Sequence, residues 1–139
     1  MRVHVGEKFS ESLTMTPEEA KTFSRAARDF NPLHLDEIVA AGSRYKKLIV
    51  SGTQTAAHLM ALPATYFSQR ADVVGLDFSL RFHKPVFADE TITLEWEVTE
   101  VTSTSSGKAD VAEMKGRVLN EAGELAVAAT GRVMVAEKL

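Results

Sequence analysis

The sequence predicts an α+β fold in which a curved antiparallel sheet of about five strands wraps around one long central helix. Three observations predict it. From about Thr16 to Arg70 the apolar residues recur at helical spacing, whereas from about Val73 onward they alternate with a period of two. The helix beginning near Ser51 carries Ala56, Ala57, Leu59, Met60, Leu62, Tyr66 and Phe67, apolar on too many sides for a surface helix. The strands after it supply the surface needed to cover it.

The elements follow in chain order. Phe9 to Met15 reads as a possible edge strand. Thr16-Pro17-Glu18-Glu19 is a helix start: Thr16 caps, Pro17 needs no donor in the first turn, and Glu19 is spaced to close a capping box. Ala20, Phe23, Ala26 and Ala27 then share one side. Pro32 pushes Asn31 out of the α region, so the chain turns near Asp29 to Asn31. Asp36 is placed to cap a short helix through Ala41, with Gly42 at its end. Ser51 and Gln54 have capping-box spacing ahead of the long helix, which Pro63 is expected to kink or restart. Strands are expected at Leu76 to Phe82, Thr91 to Thr99, Asp110 to Leu119 and Leu125 to Val135. Thr102 to Gly107 makes one turn and Asn120-Glu121-Ala122-Gly123 a hairpin.

At 139 residues the chain has the size of one domain, expected to span 1–139, and no internal repeat or Pro/Gly-rich linker divides it. Hydrophobic residues are 45% and charged residues 25%, ordinary for a soluble globular protein. No apolar run reaches the roughly 18 residues of a membrane span. MRVHVGEKFSES lacks the apolar core of a secretory signal, so a cytoplasmic location is the expectation. Cysteine is absent, which excludes disulfides, thiolate nucleophiles and Cys-ligated zinc. The formal net charge of −3 and the lack of a dense Lys/Arg run argue against a nucleic-acid partner. His4, His34, His58 and His83 are too scattered for a helical metal site.

Chemistry therefore rests on imidazole, carboxylate, hydroxyl and backbone groups. Asp29 and His34 flank Phe30-Asn31-Pro32-Leu33, and an Asn-Pro turn brings an acid and an imidazole toward one pocket. Asp29 also sits where the helix dipole disfavours a carboxylate. The same spacing fits a plain helix stop with a solvated acid and a half-buried histidine. Ser51-Gly52-Thr53 offers free N–H groups and a positive dipole end to a developing oxyanion, or is simply a cap with a glycine turn. Arg44, Lys46 and Lys47 are able to meet the phosphates of an anionic substrate, and equally form a solvated loop. His58 and His83 read as structural or surface residues, and Met60, Met114 and Met134 as core filler.

The stretch RDFNPLHLDEIVAAGSRYKKLIVSGTQTAA resembles the signature of the MaoC-like, (R)-specific enoyl-CoA hydratase family, and FSLRFHKPVFADETITLEWEVTEV resembles its strand pair. The match runs from about Val5 to Val135. The resemblance implies the hotdog fold, the shape already expected from the pattern. It also implies reversible syn hydration of a trans-2-enoyl-CoA thioester to the (3R)-hydroxyacyl thioester, without a metal or redox cofactor. Asp29 and His34 correspond to the catalytic pair and Gly52 to the residue whose N–H binds the thioester oxygen. Asn31 corresponds to a turn residue that helps hold the pair, and Ser51 and Thr53 flank the oxygen site. Three departures stand out. Arg28 replaces a frequent glycine, Ser51 a frequent histidine, and Met60 a serine found in some members. The resemblance also implies a homodimer or an assembly of dimers, because the family pairs two sheets side by side. A hotdog acyl-CoA thioesterase and a non-catalytic acyl-thioester binding or accessory subunit are the alternatives.

Overall fold

The structure, a computed structural model, describes residues 2–137; Met1, Lys138 and Leu139 of the expected 1–139 domain lie outside the described residues. The elements run β1 (Lys8–Thr14), α1 (Pro17–Ala26), α2 (Pro32–Leu35), α3 (Glu37–Gly42), α4 (Gly52–Ser68), β2 (Asp72–Phe82), β3 (Thr91–Ser103), β4 (Ala109–Leu119) and β5 (Leu125–Ala136). The five strands form one sheet in the order β1-β3-β4-β5-β2, with every neighbouring pair antiparallel. Period-two alternation in β3 sends Ile92, Leu94, Trp96 and Val98 into the core and leaves the intervening residues on the other face. Leu59, Leu62 and Phe67 of α4 join the same core cluster. The expected α+β architecture is therefore the observed one.

Several local expectations are corrected. Strand β2 starts four residues before Leu76, and β3 continues to Ser103 past a bulge between Val98 and Glu100. On α1 the fully buried positions are Ala20 and Ser24, whereas Ala26 and Ala27 are exposed; α1 packs on α2 and α4 rather than on the sheet. Met60 is 39% exposed rather than core filler. Gln54 does not close a box with Ser51; its side chain lies beside His58, and Ser51 Oγ accepts instead from the Thr53 N–H. An unforeseen single-turn helix, α2, replaces the simple turn after Asn31, with Pro32 at its first position.

Pro63 neither breaks nor restarts α4, which runs unbroken from Gly52 to Ser68. A proline in a helix interior leaves the carbonyl four residues earlier without its donor, here that of Leu59. The indole Nε1–H of Trp96 donates to that carbonyl at 2.8 Å, so the orphaned acceptor is paired inside the core. Trp96 has room for this because its neighbour across the ladder is Gly116, where a Cβ would stand 2.6 Å from the ring.

Candidate active site

The carboxylate of Asp29 is placed by the way α1 ends. Arg28 adopts φ 63, and the Asp29 N–H returns to the Ser24 carbonyl at 2.8 Å while the Arg28 N–H reaches that of Arg25 at 3.1 Å. This pair of bonds is a Schellman stop, whose left-handed position ordinarily goes to glycine. The frequent family glycine at that point thus has a conformational reason. Arg28 takes the same conformation at a cost, with its guanidinium 5.6 Å from the Phe30 ring centroid.

Asn31 caps α2, its Oδ1 accepting from the Leu33 N–H at 3.1 Å, and its own N–H donates to Asp29 Oδ1 at 3.3 Å. His34 rides on α2 and is buried. The strand-like segment at Ile49 clamps it twice: the Ile49 N–H donates to the Leu33 carbonyl at 3.2 Å, and His34 Nδ1 lies 2.9 Å from the Ile49 carbonyl. A carbonyl only accepts, so Nδ1 carries a proton, and in the neutral tautomer Nε2 presents a bare lone pair. That Nε2 faces Asp29 Oδ2 at 3.7 Å, with side-chain exposures of 9% and 27%. The separation is longer than a direct hydrogen bond of about 2.7–3.2 Å.

Ser51 joins the pair to α4. Its fully buried hydroxyl donates to Asp29 Oδ2 at 2.5 Å and accepts from the Thr53 N–H at 3.2 Å. The hydroxyl of Ser51 is the main reason that the Asp29 carboxyl lies below its ordinary value; burial opposes it, and the Asn31 N–H and the His34 charge add to it. Asp29 is therefore ionised at neutral pH despite its place beyond a helix C-terminus. Gly52 follows as the first residue of α4, where a helix N–H has no internal acceptor. A Cβ at Gly52 would stand 3.2 Å from Phe82 Cε1, close enough that the ring would have to give by a few tenths of an ångström.

Asp29, His34, Asn31, Ser51 and Gly52 are thus brought together, with Thr53 engaged through its backbone. Arg44, Lys46 and Lys47 are not bonded to them. Arg44 donates to the Tyr45 hydroxyl at 2.9 Å, Lys46 takes φ 67 in the exposed loop, and Lys47 lies 4.5 Å from the Phe87 ring centroid. Three participants were not foreseen: the Ile49 carbonyl, which carries no residue-type signal, the Ser51 hydroxyl as the support of Asp29, and the Phe82 ring. A cavity of about 540 Å³ on the β1–β3–β4 surface, lined by Lys8, Glu95, Glu97, Lys115 and Arg117 among others, includes none of the site residues. Its charged rim on the outer sheet face offers no acid–imidazole pair of the kind that Asp29 and His34 form. Among the described residues no group of three or more His, Asp or Glu side chains is arranged to hold a metal ion.

The profile of the MaoC like domain matches residues 3–121. The chain is 32% identical over 133 residues to an (R)-specific enoyl-CoA hydratase of Aeromonas caviae, covering 96% of this chain and 94% of that protein. The solved structure of the (R)-hydratase from Aeromonas caviae superposes with a TM-score of 0.85 at 30% identity, over 94% of this chain and 96% of that one. An R-hydratase structure from Pseudomonas aeruginosa gives 0.85 at 28% identity, over 97% of this chain and 83% of that one. The curved sheet around α4 is accordingly the hotdog fold. Since the profile spans the whole run from the Schellman stop before Asp29 to the glycine that opens α4, the chain belongs to the MaoC-like domain family.

Proposed function

We propose that the protein is a hydro-lyase that adds water reversibly and syn across a trans-2-enoyl-CoA thioester, giving the (3R)-hydroxyacyl-CoA. One observation carries the reading. Ser51, whose hydroxyl holds Asp29, is the residue directly before Gly52, so the acid–imidazole pair and the first N–H of α4 are tied into one unit. The relationship to the (R)-specific enoyl-CoA hydratase supports the same reaction.

The chemistry follows from the groups present. The Gly52 N–H, at the positive end of the α4 dipole, takes the thioester oxygen and stabilises the enolate charge that develops there. Water sits between Asp29 Oδ2 and His34 Nε2, both acceptors, and this orients its oxygen lone pair toward C3. As the C3–O bond forms, one water proton passes to the pair and the C2–C3 π electrons move toward the thioester. The pair then returns the proton to C2 on the same face, and the thioester carbonyl is restored. The imidazolium formed on the way is held by ionised Asp29 at one nitrogen and by the Ile49 carbonyl at the other.

Purified protein mixed with crotonyl-CoA and longer enoyl-CoA esters should consume the enone absorbance without releasing free thiol. Asp29→Asn and His34→Ala should each lower kcat by about 10²- to 10⁴-fold. Thiol release in place of enone loss would make the protein a thioesterase instead.

The reading extends to the assembly. Strand β2 is an 11-residue edge strand that carries Val74 at 44% and Leu76 at 41% exposure, a pattern that invites pairing with a second copy. The protein is a homodimer or an assembly of dimers in this reading, a cytoplasmic enzyme of fatty acid metabolism with residues 1–139 as its single domain. A monomer by light scattering would refute the assembly. Among the described residues no helix is long and apolar enough to cross a membrane. Arg44, Lys46 and Lys47 bind the CoA phosphates; neutralising them should raise KM for CoA esters and spare pantetheine esters.

A further inference from the structure

Phe82 stands at the end of β2, paired in the ladder with the buried Val127. Its backbone is anchored, because the His83 and Lys84 N–H groups both donate to the Ala126 carbonyl, at 2.8 and 3.2 Å. Its ring lies against the Cα of Gly52, with three ring atoms between 3.2 and 3.6 Å from where a Cβ would be. Yet the residue is 54% exposed, so one side of the ring rests on the start of α4 and the other is open. Gly52 is fixed just as firmly through Ser51 and Asp29. A large apolar ring, half exposed and held between two anchored backbones against the residue whose N–H opens α4, is poorly explained by core packing alone.

We propose that Phe82 is a positioning residue for the oxyanion donor: its ring walls the Gly52 N–H against water and presses the planar enoyl thioester onto it. The assignment rests on the hydratase reading above. An N–H that water reaches freely is a weak stabiliser of developing charge, because water competes for it and screens it; excluding water on one side strengthens the bond made in the transition state. The effect falls on the chemical step more than on ground-state binding. It also gives the glycine a specific reason. At the first helical position alanine is conformationally acceptable and keeps its N–H, so the cost of Gly52→Ala comes from displacing the Phe82 ring.

The test is a set of variants assayed with crotonyl-CoA beside the wild-type chain: Phe82→Ala, Phe82→Tyr, Gly52→Ala and the double variant Gly52→Ala/Phe82→Ala. Phe82→Ala should lower kcat by about 10- to 100-fold with KM changed far less, as expected when a reacting group loses its alignment. Phe82→Tyr should restore most of the rate. Gly52→Ala should be costly with Phe82 present and nearly free of further cost once the ring is gone. Light scattering and thermal unfolding of each variant check that assembly and fold are intact. A wild-type rate in Phe82→Ala, or a Gly52→Ala penalty that persists undiminished without the ring, would overturn the assignment and leave the hydratase reading standing. A wild-type chain that hydrates no enoyl-CoA would overturn both.

Discussion

The Ser51 hydroxyl donates to Asp29 Oδ2 at 2.5 Å, the same oxygen that faces His34 Nε2. One buried hydroxyl therefore holds the acid of the pair, keeps it ionised and caps the helix that presents Gly52. Ser51→Ala should cost about 1–2 kcal/mol of stability through the lost cap. It should lower kcat/KM by roughly 10-fold or more, because Asp29 is no longer held in place. With its largest lowering influence removed, the Asp29 carboxyl rises toward its ordinary value, and the acid limb of the pH–rate profile should move to higher pH. An unmoved acid limb in Ser51→Ala would show that Asp29 does not set it.

Trp96 and Pro63 should behave as a coupled pair. Trp96→Phe leaves the Leu59 carbonyl buried without a donor and removes part of a fully packed ring, a loss of about 2–4 kcal/mol. In a Pro63→Ala background the new N–H of residue 63 restores the helical bond to Leu59, so the same Trp96→Phe change should cost less. Urea unfolding of the four proteins at one protein concentration measures the coupling; additive losses would refute it.

Arg28 carries strain that glycine would not. Arg28→Gly should stabilise the fold by about 0.5–1 kcal/mol, the left-handed penalty less the added entropy of an unfolded glycine. Arg28→Val, whose branched Cβ fits φ 63 poorly, should destabilise it. Thermal unfolding of the two variants reads both signs.

Four carboxyls lie below their ordinary values in the fold, and acid should destabilise the protein through the three that are at least partly buried, Asp29, Glu7 and Asp110, rather than through the solvent-screened Glu124. Asp29 is lowered chiefly by Ser51. For Glu7, burial pushes upward, but hydrogen bonds from Arg70 and Tyr66 outweigh it. For Asp110, burial likewise pushes upward and is outweighed by the Ser103 hydroxyl and the N–H groups of Arg2 and Val3. A depressed carboxyl binds fewer protons folded than unfolded. Its stabilisation is complete above the unfolded value near pH 4 and is lost as pH falls through the folded value. Glu113 has the opposite sign. The facing Glu100 raises it, so their mutual repulsion is present at neutral pH and relieved on acidification. Urea midpoints should fall below about pH 4, and Glu113→Gln should raise stability at neutral pH but not in acid.

What the sequence made legible follows the range of the interactions. The acid–imidazole pair was readable because its placement is local: a helix stop before Asp29 and an Asn cap before His34 lie within one short segment. Ser51 was visible as a cap, but its bond to Asp29 spans 22 residues and no spacing rule reports it. The Ile49 carbonyl that fixes the His34 tautomer is a backbone atom 15 residues away. Pro63 was expected to kink or restart the helix; no restart occurs, and the Trp96 indole that serves the carbonyl it orphans lies 37 residues distant in the chain. Arg28 hid the left-handed position that a glycine would have announced. The strands were found from alternation, and their ends moved where bulges interrupt the period.

The floor beneath α4 is set by side chains that are missing. Gly116 lies across the ladder from Trp96 and Gly131 across from Phe78, and a Cβ at either would come within 2.6 Å of the facing ring. Both rings can therefore recline over a neighbouring strand instead of standing upright between sheet and helix. The two rings meet each other edge to face, with centroids 5.8 Å apart, and the indole reaches α4 through the Leu59 carbonyl. A single methyl group at Gly116 would act as a shim: it would lift the indole, slacken its hold on the Leu59 carbonyl and shift the far end of the same rigid helix, where Ser51 and Gly52 meet Asp29. A change on the opposite side of the core would thus be felt as misalignment at the reacting atoms.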